Sequence, residues 1–290
     1  MKPPAFEYSR PSSLGEALEL LAEYRTDGKV LAGGQSLLPL LSMRLAAPAR
    51  LIDINRLDEL AYLRAGPDGV RVGALARHST VLADPSGRAC QPLLATALAS
   101  VAHPTIRNRG TTVGSIVHAD PAAEMPAVLS LLGGTLTVAS TTGRREIPAG
   151  ELFRGPLESA LGPDELALEA FFPALAERSG TAFAEISRRH GDYAVCGVGV
   201  LVCLDEDLRI DSAVAGYLSV APTPLVLDLT DPIRGRSFDA DLSPAAAQAR
   251  TLVDPEPDIH ASAGYRRQLV RVLTARVLGQ AARAAAGVPR

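Results

Sequence analysis

The sequence predicts an α+β protein in which mixed helix and strand segments come first and an antiparallel sheet with packed helices comes last. The first part alternates short strands, glycine turns and helices, which is typical of α/β units. The second part holds long apolar runs joined by an acidic turn, which indicates antiparallel strands. A chain of 290 residues that is 47% hydrophobic is long enough for two or three such units.

The N-terminal segment predicts a helix, a strand and a second helix in that order. A hydroxyl at Ser13, three residues before Glu16, is a helix-start pattern. Residues 29–32 then predict a strand that ends in a glycine turn. We expect Ser36 to be the N-cap of the next helix, which the apolar spacing extends through Leu45.

The rest of the first part predicts further short strands and apolar helices. The helical pattern over residues 90–103 is expected to end at Pro104, because proline disfavours a helical conformation in the residue before it. The other predicted elements are strands at 50–54, 70–72 and 135–139 and a helix at 124–132.

A polar stretch at residues 177–180 predicts a domain boundary. We expect a first domain over residues 1–176, with subdomains of about 1–56 and 57–176. The second domain would cover residues 177–290.

Two strands and two helices are predicted in that second domain, at 195–204, 210–220, 243–252 and 265–285. The apolar spacing of the last helix predicts a buried face and a charged face. We expect the buried face to carry Tyr265, Leu269, Val272, Leu273 and Val277, and the charged face to carry Arg266, Arg267, Arg271 and Arg276.

The charge pattern argues against nucleic acid or a membrane surface as partner. The net charge is −3 and there is no long basic run. The first residues lack the apolar core of a signal peptide, and no apolar stretch approaches the roughly 18 residues of a membrane span. We therefore expect a cytoplasmic protein.

The cysteines argue against a metal cluster within the chain. Only Cys90, Cys196 and Cys203 occur, and no two of them form a Cys-x-x-Cys pair. A disulfide framework, a structural zinc site and an iron–sulfur cluster are therefore not expected. If the function requires such a cluster, a partner must supply it.

Two glycine segments are the main indication of a binding site. Residues 31–36 (Leu-Ala-Gly-Gly-Gln-Ser) and 110–115 (Gly-Thr-Thr-Val-Gly-Ser) each offer unhindered backbone N–H groups and small hydroxyls after an expected strand. Such loops suit the phosphates of a nucleotide cofactor. The alternative for either segment alone is a tight turn without a ligand, and Gly197-Val198-Gly199 is assigned to close strand packing.

Two polar clusters add candidate side chains. His118, Asp120 and Glu124 do not have an established metal spacing, so hydrogen bonds to a ribose or ribityl chain suit them better than a metal ion. The segment 187–193 ends in Tyr193. It is either an exposed charged turn or the place where this tyrosine contacts a planar cofactor.

Four stretches together resemble one known family. They are residues 32–39, 106–124, 187–194 and 261–267, which occur in family order along nearly the whole chain. They are similar to the FAD-binding medium subunits of molybdenum hydroxylases, of the aerobic carbon monoxide dehydrogenase and xanthine dehydrogenase type.

The resemblance implies a two-subdomain α/β FAD-binding domain of the PCMH type and a C-terminal α+β domain like that of the carbon monoxide dehydrogenase flavoprotein. It implies that the glycine segments wrap the pyrophosphate and that Tyr193 lies near the isoalloxazine. The family usually has Gly-Gly where this chain has Val113-Gly114. A positive φ at Val113 would cost about 1–2 kcal/mol. The complete implied FAD set is Leu31, Ala32, Gly33, Gly34, Gln35, Ser36, Leu37, Thr111, Thr112, Val113, Gly114, Ser115, His118, Asp120, Glu124, Leu161 and Tyr193.

The resemblance also implies a function in a complex. A large partner subunit would carry a molybdenum cofactor, a small one would carry two [2Fe–2S] clusters, and this chain would pass electrons from its FAD to an external acceptor. A dimer of heterotrimers is the expected assembly. The alternatives are a flavin-deficient scaffold, suggested by Val113, and a free-standing flavin oxidase. The substrate stays open among carbon monoxide, purines, N-heterocycles and aldehydes.

Overall fold

The computed structural model describes residues 2–288, and its first unit is a parallel sheet with two helices. The strands β1 (Glu7–Ser9), β2 (Gly28–Leu31) and β3 (Arg50–Asp53) are arranged in the order β1-β3-β2, and all neighbours are parallel. Helix α1 (Leu14–Tyr24) connects the first two strands, and α2 (Leu37–Ser42) follows β2. The glycine turn therefore lies at the carboxyl edge of this sheet.

The predicted start of α1 is confirmed. Ser13 Oγ accepts a hydrogen bond from the Glu16 backbone N–H at 3.2 Å, which satisfies one of the free donors of the first turn. Ser36 is at the predicted N-cap position of α2, although its side chain makes no cap hydrogen bond because its own backbone is already helical. The predicted length of α2 is wrong, since the helix ends at Ser42 and Leu45 is exposed beyond it.

The second unit contains an antiparallel sheet and a small hairpin. In the sheet the strand order is β4-β5-β10-β6-β7, and β8 and β9 form the hairpin. These strands are β4 (Leu63–Gly66), β5 (Gly69–Gly73), β6 (Thr135–Ser140), β7 (Gly143–Pro148), β8 (Phe153–Gly155), β9 (Glu158–Ser159) and β10 (Leu166–Pro173).

Short helices lie between the strands of this unit. The prediction of a single helix over residues 90–103 is wrong, since α5 (Pro92–Leu98) covers only the middle of that range. Pro104 starts a helix instead of ending one, because proline is well suited to the first helical position. The second glycine segment consequently follows a helix, not a strand. The helices are α3 (His78–Ala83), α4 (Pro85–Cys90), α5 (Pro92–Leu98), α6 (Pro104–Arg107), α7 (Thr112–His118), α8 (Glu124–Leu131) and α9 (Ala149–Leu152).

The third unit is an antiparallel sheet between two layers of helices. Its strands pair in chain order, and the predicted antiparallel strands joined by an acidic turn are β12 (Ala194–Leu204) and β13 (Ile210–Leu218). Helices α10 and α11 cover one face, while α5 and α8 of the second unit pack on the other. The elements are β11 (Ser179–Ser187), β12 (Ala194–Leu204), β13 (Ile210–Leu218), β14 (Leu225–Asp228), α10 (Ser243–Leu252) and α11 (Ala263–Ala285).

The predicted faces of α11 are partly wrong. Tyr265 is 50% exposed and Val272 is also exposed, whereas Arg266 is only 6% exposed. Arg266 can be buried because its guanidinium donates to the carbonyls of Val195 and Glu256 and pairs with Asp258 at 2.7 Å. The buried face is therefore defined by the sheet beneath the helix and not by the apolar residues alone.

Within residues 2–288, no helix combines the length and the apolar character that crossing a membrane requires.

Candidate functional site

A cavity of about 800 Å³ lies where parts of all three units converge. The first unit contributes β2 and the glycine turn after it, and the second contributes residues 110–124 and the hairpin near Leu161. The third unit contributes residues 191–193, the turn before β12. This volume is within the ~300–1,000 Å³ range of small-molecule sites.

The two glycine segments are in direct backbone contact at one wall of this cavity. A Cβ atom added to Gly33 would lie 2.6 Å from the carbonyl oxygen of Arg109 and 2.7 Å from Cα of Gly110. No side chain fits in that space, because real Cβ atoms are not found so close to backbone atoms. Glycine at position 33 is therefore what allows the two segments to meet.

The first segment presents a row of backbone donors. Among the described residues 2–288, the backbone N–H groups of Gly33, Gly34, Gln35 and Ser36 donate no hydrogen bond to another backbone or side-chain group. Gly34 has a φ of 72°, in the left-handed region that favours glycine. The Gln35 side chain stabilises the turn by donating from Nε2 to the Gly33 carbonyl at 3.0 Å. These free N–H groups suit an anionic ligand.

The second segment forms the start of α7. Thr111 is its N-cap, and its Oγ1 accepts from the Gly114 backbone N–H at 3.2 Å. Val113 lies inside this helix with a negative φ and is 2% exposed. The backbone strain considered for this valine therefore does not arise, and its side chain packs in the core.

Most of the residues implied by the resemblance line the cavity. Two do not. Thr112 is fully buried, with Oγ1 3.2 Å from Nδ1 of His78, and Leu31 lies behind the glycine turn, against Gly34. The cavity brings together Ala32, Gly33, Gly34, Gln35, Ser36, Leu37, Thr111, Val113, Gly114, Ser115, His118, Asp120, Glu124, Leu161 and Tyr193.

Ionisable groups in the cavity wall have shifted pKa values. Burial lowers the pKa of His118, with Lys29 acting in the same direction and Asp120 opposing it. Burial also raises the pKa of Glu124 to about 7, and the nearby Asp120 raises it further while Arg107 opposes the shift. The cavity wall therefore contains an imidazole whose lowered pKa favours its neutral form and a carboxyl whose pKa lies close to neutral pH.

The carboxyl of Glu185, on strand β11, lies near the carboxyl of Glu124 at the start of α8. Burial raises the pKa of Glu185 to about 8, with the charge of Glu124 adding to the shift. Its Oε2 atom is buried and has no hydrogen-bond partner in the described part of the chain. Groups of three or more His, Cys, Asp or Glu suited to a metal ion are absent from residues 2–288.

The turn that ends at Tyr193 has features of both interpretations. Arg188, Arg189 and His190 are exposed, as in a charged surface turn. Tyr193 is 67% exposed but lies at the cavity rim together with the preceding glycine and aspartate. The imidazole of His103 packs against Gly191 in this turn. It also meets the His190 ring edge-on, with the ring centroids 5.9 Å apart.

Several cavity residues were missed in the sequence. Leu157, Glu158 and Ser159 in the β8–β9 hairpin line the wall, and Leu157 has a φ of 60° that no sequence pattern indicates. Lys29 also lines the cavity. Lysine occurs only twice in the chain, and this could have drawn attention to Lys29 shortly before the first glycine segment. Ile106 enters because α6 starts at Pro104.

Models of two protein families match this chain. The FAD binding domain in molybdopterin dehydrogenase matches residues 4–175, and the CO dehydrogenase flavoprotein C-terminal domain matches residues 181–281. A similar curated protein is the 6-hydroxypseudooxynicotine dehydrogenase complex subunit alpha of Paenarthrobacter nicotinovorans, which is 42% identical over 283 residues, covering 97% of this chain and 96% of the relative. The caffeine dehydrogenase subunit beta of a Pseudomonas species is 40% identical over 285 residues, with the same two coverages.

The fold is also similar to solved structures. A chain of carbon monoxide dehydrogenase from Hydrogenophaga pseudoflava superposes with a TM-score of 0.92 at 34% identity, covering 98% of this chain and 99% of that one. Because the family models match most of the sequence and the relatives match nearly all of it, this chain belongs to the FAD-binding medium subunits of the molybdenum hydroxylases.

Proposed function

We propose that this chain holds FAD in the cavity between its two glycine segments and transfers electrons within a heterotrimeric molybdenum hydroxylase. The observation that carries this proposal is the backbone contact at Gly33, which places a row of free N–H groups beside a cavity of cofactor size. When bound, FAD supplies redox chemistry in which electrons arrive singly and leave as a pair.

The residues present fit such a cofactor. The free N–H groups of Gly33–Ser36 and the hydroxyl of Ser115 would hold the pyrophosphate. His118, Asp120 and Glu124 would bind the hydroxyls of the sugar and ribityl parts, and Leu37 and Leu161 would provide apolar walls. Tyr193 at the rim would lie beside the ring and affect its potential more than its retention.

The electrons would come from a partner subunit. Cys90, Cys196 and Cys203 are separate free thiols, and burial raises the pKa of the Cys196 thiol to about 12. They are not suited to ligate a cluster. A small subunit with two [2Fe–2S] clusters and a large subunit with the molybdenum cofactor would complete the chain of transfer, in a dimer of heterotrimers.

The substrate is selected outside this chain. The names of the relatives refer to 6-hydroxypseudooxynicotine, caffeine and carbon monoxide, although these relatives share 42%, 40% and 35% identity with this chain. Such different substrates for such similar chains favour selection at the molybdenum subunit. The scaffold alternative rested on strain at Val113, and the helical backbone there removes that reason.

Glu124 would act as a proton-holding group beside the cofactor, and the raised pKa of Glu185 makes it a second proton-holding group near Glu124. At neutral pH a carboxyl with a raised pKa keeps a proton and can donate a hydrogen bond, which an ionised carboxylate cannot do. Glu124 is the one of the two that lines the cavity. It would therefore present either a donor or an acceptor to the ligand within a narrow pH range around neutrality.

We expect Gly33→Ala to abolish stoichiometric FAD binding, because the added methyl group would push residues 109–111 away from the first segment. The measurement is the ratio of flavin to protein in the purified full chain, with circular dichroism to check folding. Gly150→Ala is the matched control, because a Cβ there meets nothing within 4 Å. Full FAD occupancy in Gly33→Ala would contradict the proposed site.

We expect Glu185→Gln to change the pH dependence of stability. The pKa of Glu185 is about 8 in the folded chain, above its ordinary value of 4.5. Between about pH 4.5 and pH 8 the unfolded chain has released this proton while the folded chain still holds it, so the stability of the wild type falls as the pH rises through this range. The glutamine variant lacks this contribution and gains on wild type across that window. Urea unfolding at several pH values measures it, with exposed Glu177→Gln as control; parallel curves for Glu185→Gln and wild type would contradict the expectation.

We expect substrate to bleach the flavin only in the assembled complex. The complex, isolated from the native organism by an affinity tag on this chain, should contain molybdenum and iron. One of the candidate substrates should reduce its FAD under anaerobic conditions. The isolated FAD-loaded chain should show no absorbance change with the same compounds. Bleaching of the lone chain would identify a free-standing oxidase instead.

A further inference from the structure

A hydrogen-bonded pair behind the cavity connects the two glycine segments. Its first member, Asn55, follows β3 at the carboxyl edge of the parallel sheet. Asp53 Oδ1 accepts from the Asn55 backbone N–H at 2.9 Å and from Nδ2 at 2.6 Å, which fixes the amide orientation. Asp53 is itself held by the Tyr8 hydroxyl and by Arg10 at 3.8 Å.

Asn55 binds the backbone of the first glycine segment. Its Nδ2 donates to the carbonyl oxygen of Ala32 at 2.8 Å, with that of Leu31 at 3.4 Å. These are the two residues directly before Gly33. This amide therefore helps to hold the first segment in place, together with the backbone hydrogen bond from the Ile54 N–H to the Leu31 carbonyl at 3.1 Å.

Arg77 binds Asn55 and the backbone of the second glycine segment. One guanidinium nitrogen donates to Asn55 Oδ1 and another to the carbonyl oxygen of Arg109, both at 2.6 Å. Arg77 also pairs through its backbone with Thr111 as an isolated β-bridge. Together, Asn55 and Arg77 span from Ala32 to Arg109 on the side of the segments away from the cavity.

We propose that Asn55 and Arg77 are positioning residues that hold the two glycine segments at the separation FAD requires. The inference rests on the proposed function. Neither side chain lines the cavity, so both act through the backbone carbonyls that they bind. The contact at Gly33 limits how closely the segments approach, and this pair limits how far apart they move.

A role in FAD binding differs from a merely structural one in its measurable effects. Residual stability of the fold comes from the core, to which neither side chain belongs. Removal of either side chain should therefore affect cofactor affinity more than folding. Because both side chains belong to one connection, the second removal should cost less than the first, and the effects on affinity should not add.

The test is a fluorescence titration of the flavin-depleted full chain with FAD. Asn55→Ala and Arg77→Ala should each weaken binding about tenfold or more, and the double variant less than the product of the two. Arg77→Lys, whose single nitrogen can keep one of the two contacts, should lie between wild type and Arg77→Ala. Arg71→Ala is the matched control, since Arg71 pairs with Glu169 and Asp68 outside the cavity, and should bind FAD as wild type does.

Two further readings make the outcome decisive. The melting temperature of the FAD-free variants should remain close to that of wild type, while amide hydrogen exchange should become faster at residues 31–36 and 109–115 in both alanine variants.

If wild type fails to bind FAD, the proposed function itself is wrong. If wild type binds FAD and the alanine variants bind equally well, only the positioning role is overturned. If an alanine variant does not fold, Arg77→Lys decides, and wild-type affinity in it overturns the role.

Discussion

The cavity depends on the backbone contact between Gly33 and residues 109–111. Any side chain at position 33 would occupy the space of the Arg109 carbonyl and the Gly110 Cα. This contact joins the carboxyl edge of the parallel sheet to the start of α7, which belong to different units. A wall with free N–H groups on one side and small hydroxyls on the other is the result, and a cofactor pyrophosphate is the ligand chemistry that suits it.

The rest of the architecture completes this wall. The C-terminal sheet packs on α5 and α8, and so it brings the turn before β12 to the cavity rim. Its strand β11 brings Glu185 close to Glu124, and burial raises the pKa of Glu185 to about 8 and that of Glu124 to about 7. One cavity thus has free backbone N–H groups at one wall and Tyr193 at its rim.

Local patterns predicted the parts of the fold that depend on local chemistry. The Ser13 cap, β2 with its glycine turn, and the antiparallel pair β12–β13 follow from short-range rules. The errors occur where distant contacts decide. Pro104 can end or start a helix, and Arg266 is buried only because the carbonyls of Val195 and Glu256 lie within reach of it. No sequence motif indicates Asn55 and Arg77, because their proposed role depends on hydrogen bonds between residues that are distant in sequence.

The most direct test of the central claim is a crystal structure of the full chain grown with FAD. The account predicts pyrophosphate density within hydrogen-bond distance of the backbone N–H groups of Gly33–Ser36, beside Ser115, with the ring toward Tyr193. FAD bound elsewhere on the chain, or a cavity without flavin density under saturating FAD, would contradict it.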